Sequence, residues 1–114
     1  MKLMIDDMRV PEDPDVILAR SFRAGLLLLS CNDFYWDIVY LDHDLGDPDP
    51  AKTGYEILKE LLMLFPPKYC YCKVKEFILV TSNPVGRKNM ENLLKDNHYV
   101  NSGGNVWTYK QKEQ

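Results

Sequence analysis

Asp37-Ile38-Val39-Tyr40-Leu41-Asp42-His43-Asp44-Leu45-Gly46 starts as an apolar, β-branched run and turns abruptly to two acids around a histidine, then a glycine. An unbroken apolar run of this kind reads as a buried strand. If the strand continues, Asp42 and Asp44 point to one side and His43 to the other. Open parallel sheets bind ligands beyond the carboxyl ends of their strands, so acids at such an end stand where chemistry is done.

Two further stretches follow the same plan. Lys2 to Ile5 is a short apolar strand that runs into Asp6-Asp7. Glu76 to Val80 is another, running into Thr81-Ser82-Asn83-Pro84. A fourth strand, Val16 to Arg20, follows Ile5 too closely for a helical crossover of about a dozen residues, and Pro11 and Pro14 interrupt the gap. The first connection, Met8 to Asp15, therefore reads as a loop or a single turn. Ser21 is a good N-cap for a helix over Phe22 to Ser30. Gly46 to Lys52 is rich in glycine, proline and aspartate and reads as a loop. Thr53 and Glu56 form a capping box for a helix over Gly54 to Phe65, which Pro66-Pro67 stops. Lys68 to Lys75 is a connector. Val85 to Asn97 is an amphipathic helix, with Val85, Met90, Leu93 and Leu94 inward. Tyr99-Val100-Asn101, a Ser-Gly-Gly turn and Val106 to Tyr109 read as an edge strand or hairpin, and 110–114 as a polar tail. Strands alternating with helices predict an α/β fold with a parallel sheet and right-handed crossovers. That topology brings Asp6, Asp7, Asp42, His43, Asp44, Thr81, Ser82 and Asn83 to one edge.

Composition narrows the function. The 114 residues suit one domain over 1–114, with a core that needs no staples. A net charge of −3 offers no electrostatic footprint for nucleic acid. No apolar run approaches the ~20 residues of a membrane span, and the start turns acidic too soon for a signal peptide. Cys70-Tyr71-Cys72 is not a CxxC motif and Cys31 is distant, so the three cysteines read as reduced thiols of a cytoplasmic protein.

Several carboxylates crowded together repel one another unless a cation neutralises them. All-oxygen ligation suits a hard ion, Mg²⁺ or Mn²⁺, and Asp6, Asp7 and Asp42 are its candidate ligands. Thr81, Ser82, Asn83 and Arg87 can donate to phosphate oxygens, the last from the first turn of a helix whose N-terminus attracts anions. Arg9 and Arg20 either bind a phosphate or pair with a surface carboxylate. His43 has two open roles. It packs as a hydrogen-bonded core residue beneath the following helix, or it acts as a general acid or base with Asp44, since imidazoles exchange protons near neutral pH. The pattern as a whole points to phosphoryl chemistry; the alternative is a polar rim of surface ion pairs.

The order of parts resembles the receiver domain of two-component response regulators. Asp6-Asp7 looks like that family's Mg²⁺-binding acidic pair, Asp42 in "DIVYLD" its phosphoacceptor, Gly54 in "KTGYEILKEL" the glycine opening the next helix, and Thr81 in "FILVTS" its hydroxyl residue. Lys110 is left to stand for that family's lysine. "IDDMR", "LDHDLG", "TGYEIL" and "SNPVGR" look more like the receiver-like group described as cyclic-phosphate-processing receiver domains, small proteins common in bacteria and their phages. The resemblance implies a three-layer, flavodoxin/receiver-like sandwich with sheet order 2-1-3-4-5, a reduced first crossover helix and no last helix. It implies a metal-dependent phosphoesterase acting on, or binding, a small cyclic or terminal phosphate such as a nucleotide or RNA end. Asp42, His43 and Asp44 would be catalytic. The alternatives are a phosphoacceptor domain in signalling and a non-catalytic module that binds a nucleotide or a protein. The expected partner is a small phosphate-containing ligand, with no membrane, for a monomer or weak homodimer in a bacterial cytoplasm or that of a phage's host.

Overall fold

The computed structural model describes residues 1–67 and 72–110. Its elements run β1 (Lys2–Ile5), β2 (Val16–Ala19), α1 (Phe22–Ser30), β3 (Trp36–Leu41), α2 (Gly54–Leu64), β4 (Val74–Leu79), α3 (Pro84–Asp96), β5 (Tyr99–Gly103) and β6 (Val106–Tyr109). Two caps fall where the sequence places them: Ser21 accepts from the Ala24 N–H and Thr53 from that of Glu56; Asn83, read as a phosphate donor, also caps α3 by accepting from the Gly86 N–H. β4 begins two residues before the predicted Glu76, in the stretch read as connector.

β2, β1, β3 and β4 pair in parallel, with Leu3 opposite Val39 and Val39 opposite Phe77. The sheet order is β2-β1-β3-β4-β6-β5, not the expected 2-1-3-4-5. The last two strands form an antiparallel hairpin, and its second strand lies beside β4. The burial pattern gives the reason. β6 brings Trp107, 3% exposed, into the core, whereas β5 is exposed after Tyr99. The apolar strand takes the interior place and the polar one forms the edge.

Leu3, Ile5, Val39, Leu41, Phe77 and Leu79 share one face of the sheet and are fully buried against Leu29, Ile57, Leu58, Leu61, Met90 and Leu94 of the three helices. The opposite face carries Met4, Tyr40 and Val80, and the loop holding Val10 and Pro11 overhangs it. No helix stands between β1 and β2, so the first crossover is a loop outright. The layer expected on this side of a three-layer sandwich is reduced to that loop. At the far end of the sheet, Lys73 is buried beside the rings of Tyr35 and Phe65 and donates to the Cys31 carbonyl; burial lowers its pKa. Cys31 and Cys72 are free thiols, while Cys70 and most of the polar tail lie outside the described residues.

Candidate functional site

The sheet ladder carries the acids to their places. The Asp6 N–H donates to the Ala19 carbonyl at 3.1 Å, and the Asp42 N–H to that of Ile5 at 3.0 Å. These bonds hold the two residues side by side, one step past β1 and β3. One ligand atom each from Asp6, Asp7 and Asp42 lies within 4.8 Å of the others.

Asp6 is wholly buried. Its Oδ1 accepts from the N–H groups of Met8 and Arg9, both at 2.9 Å, and its Oδ2 from Arg9 Nη1 at 2.9 Å. Burial alone would raise its pKa, but those two N–H groups and the guanidinium outweigh burial and hold it below the usual carboxylate range. Asp42 behaves oppositely. Burial and then the neighbouring Asp6 charge push it up, against the Thr81 hydroxyl, the His43 N–H and Arg9. Two neighbouring acids with pKa values driven apart are a common mark of a working site.

The loops behind the acids are held by close approach. The Gly54 N–H donates to the His43 carbonyl at 2.8 Å. A Cβ on Gly54 would stand 1.8 Å from the Asp42 carbonyl oxygen, so only glycine fits there. Gly46 has φ +70°, a left-handed conformation that favours glycine, and lies against Asp7.

Other candidates sit less simply. His43 packs under the first turn of α3, not beneath α2 as the sequence suggested: a Cβ on Gly86 would stand 2.4 Å from its ring. Its Nδ1 is 3.0 Å from Oδ1 of the exposed Asp44, and Asn83 Nδ2 lies 3.4 Å from the other oxygen of that carboxylate. Thr81 is buried, with its hydroxyl on Asp42 and accepting from the Asn83 N–H at 3.1 Å. Ser82 is exposed beside it. Arg9 bridges Asp6 and Asp42, at 2.9 and 3.3 Å, so its guanidinium meets acids here. Arg20 donates to the Arg9 carbonyl at 2.8 Å. Arg87 donates to the Thr81 carbonyl at 2.6 Å and to the side chain of Asn105. Asn105 has no motif around it that would have singled it out. With Pro84 at its start and Gly86 capped by Asn83, α3 offers an anion fewer N–H groups than a bare helix end.

Lys110 does not take the receiver lysine's place. It follows β6, which runs antiparallel to β4 with Thr108 opposite Glu76, so it lies at the end of the sheet away from Thr81. In parallel order it would have reached the acidic edge; the hairpin turns it round.

The profile of the cyclic-phosphate processing receiver domain matches residues 1–96. The chain belongs to that family. No curated protein and no solved structure matches it. The match spans Asp6, Asp7, Asp42, Thr81 and the whole of α3, and stops short of the hairpin. It gives this receiver-type domain a phosphate-related role. Among the described residues, no helix is long and apolar enough to cross a membrane.

Proposed function

We propose that the domain binds a small cyclic or terminal phosphate ester and hydrolyses it with a divalent cation, Mg²⁺ or Mn²⁺. The convergence of Asp6, Asp7 and Asp42 carries this reading. The donors are all carboxylate oxygens, which suit a hard ion, and a positive group, the Arg9 guanidinium, already lies against two of them. The residues therefore fit the cation. When bound, the ion polarises a phosphoryl oxygen and makes water a better nucleophile.

The chain's own groups do the rest. Asp6, Asp7 and Asp42 hold the ion. The exposed Ser82 hydroxyl and Asn83 Nδ2 offer donors to phosphate oxygens beside it. Asp44 fixes the His43 ring through Nδ1, and the imidazole exchanges a proton with the attacking water or the leaving oxygen.

The test is hydrolysis of 2′,3′- and 3′,5′-cyclic nucleotides and terminal phosphomonoesters with Mg²⁺, Mn²⁺ or a chelator. Turnover should require the cation, and Asp42→Asn should lower it on the order of 10²-fold or more. Turnover that ignores both the chelator and Asp42→Asn would sink the proposal. An Asp42 adduct from acetyl phosphate without turnover would favour the signalling role instead.

A further inference from the structure

Each buried acid of the cluster has one oxygen committed to the main chain. Asp6 Oδ1 accepts from Met8 and Arg9, both at 2.9 Å, and Asp42 Oδ1 from His43 at 2.8 Å. The other oxygen of each meets one shared cation atom, Arg9 Nη1, at 2.9 Å from Asp6 Oδ2 and 3.3 Å from Asp42 Oδ2, while the Thr81 hydroxyl also bonds the Asp42 carboxylate. The backbone of Arg9 is fixed separately, its N–H by Asp6 and its carbonyl by Arg20. Its side chain is 42% exposed, so it can turn outward without moving the loop.

We propose that Arg9 is a resident counter-cation that a divalent ion displaces from Asp6 and Asp42, and that the displaced guanidinium then binds the phosphate ligand. The inference rests on the cation reading above. A hard ion binds carboxylate oxygens at about 2.0–2.6 Å. An ion that close to both Oδ2 atoms would crowd Nη1 and repel its charge, so the two cations compete for one place. Without the ion, Arg9 relieves the repulsion between the acids. With the ion in place, the guanidinium loses its carboxylates, and a phosphate is the anion whose oxygens best match its planar fork. Phosphate thereby favours the displaced state, and the ion creates the phosphate site. Linkage makes the coupling reciprocal: each ligand tightens the other.

Calorimetric titration of Mg²⁺, with and without inorganic phosphate, tests this on the wild type, Arg9→Gln and Arg9→Lys, alongside thermal unfolding in chelator. Phosphate should tighten Mg²⁺ binding to the wild type. Removing a competing partly exposed charge should tighten Mg²⁺ binding to Arg9→Gln roughly fivefold. That variant should also melt lower without the ion and lose the effect of phosphate, while Arg9→Lys, which keeps the charge, stays nearer the wild type. If Arg9→Gln binds Mg²⁺ no better than the wild type, or still responds to phosphate, the role of Arg9 is overturned and the cation reading stands. If neither protein binds Mg²⁺, the cation reading falls and this inference falls with it.

Discussion

Asp42 serves two opposed demands. The fold buries it next to another carboxylate, and the proposed chemistry needs it ionised. Burial and Asp6 raise its pKa, so in the metal-free protein its charge opposes folding. The sign follows from linkage: a carboxyl with a raised folded pKa costs stability once pH rises through that pKa, and costs nothing once it is protonated. Asp42→Asn keeps the shape and drops the charge. In chelator at neutral pH it should be more stable than the wild type, by about 1 kcal/mol. The gap should close as pH falls through the Asp42 titration; urea unfolding at several pH values checks it, and a gap that widens on acidification would contradict it. Asp6 titrates in the other sense, its lowered pKa adding stability that is lost as pH falls through it. Asp6 and Asp42 feel each other's charge, so the gap between the two proteins reports the coupled pair and not Asp42 alone. Strand alternation made Asp42 and Asp6 legible as site residues, because both follow unbroken apolar strands. Alternation beyond Leu41 was not legible: β3 ends there, and the His43 ring meets Asp44, which alternation had set on the opposite side. What covers His43 was not legible, since the first turn of α3 arrives from forty residues further along and touches the ring only because Gly86 lacks a side chain. Arg9 was ambiguous for a similar reason: its motif gives a charge, and only the folded loop says which acids it meets.

At the scale of elements, the junction between β3 and α2 is the most tightly specified. Thr53 caps the helix, and the Gly54 N–H ties its first residue to the His43 carbonyl. These two neighbours should respond very differently to alanine. Thr53→Ala loses an N-cap bond of 3.4 Å, a cost of about 1 kcal/mol. Gly54→Ala puts a Cβ 1.8 Å from a backbone oxygen that is itself part of a strand end. Neither atom is the tip of a flexible side chain, so the helix must move, with a cost of roughly 3 kcal/mol or more. Denaturant midpoints of the two variants check the ranking, and equal midpoints would refute it. Gly54→Ala should also lower Mg²⁺ affinity, because the shifted backbone carries Asp42. Helices and caps were legible here because each is signalled within a few adjacent residues. The start of β4 was not: Val74 and Lys75 follow a lysine whose burial depends on Tyr35 and Phe65, two remote rings.

The whole molecule is closed by a hairpin that the family match does not reach. The profile covers residues 1–96, yet Tyr99 and Trp107 are each 3% exposed within the same core as Phe77, Met90 and Leu94. The Tyr99 ring stands edge-on to Phe77 at 5.3 Å, its hydroxyl donates to the Val74 carbonyl, and the Leu79 N–H donates to the Asn105 carbonyl at 3.0 Å. The alternation of Val106 to Tyr109 announced a strand, but strand order is not written in alternation. It is decided by which strand buries more against β4, and a tight turn at Gly103 and Gly104, both at positive φ, lets the chain fold back to satisfy it. Asn105 and Arg87 then join the hairpin to the Thr81 carbonyl, so the segment also braces the site. Trp107→Ala should therefore cost about 3–5 kcal/mol, a large share of the roughly 5–15 kcal/mol that holds a domain of this size. Ending the chain after Asn97 should do more. It strips the β4 edge of its partner and opens the core, so the cooperative thermal transition should be lost and a dye for exposed apolar surface should bind. A truncated chain that still melts cooperatively would show that 1–97 folds alone and that the hairpin is an accessory. If instead it does not fold, the unit that positions the acids is larger than the segment the profile matches.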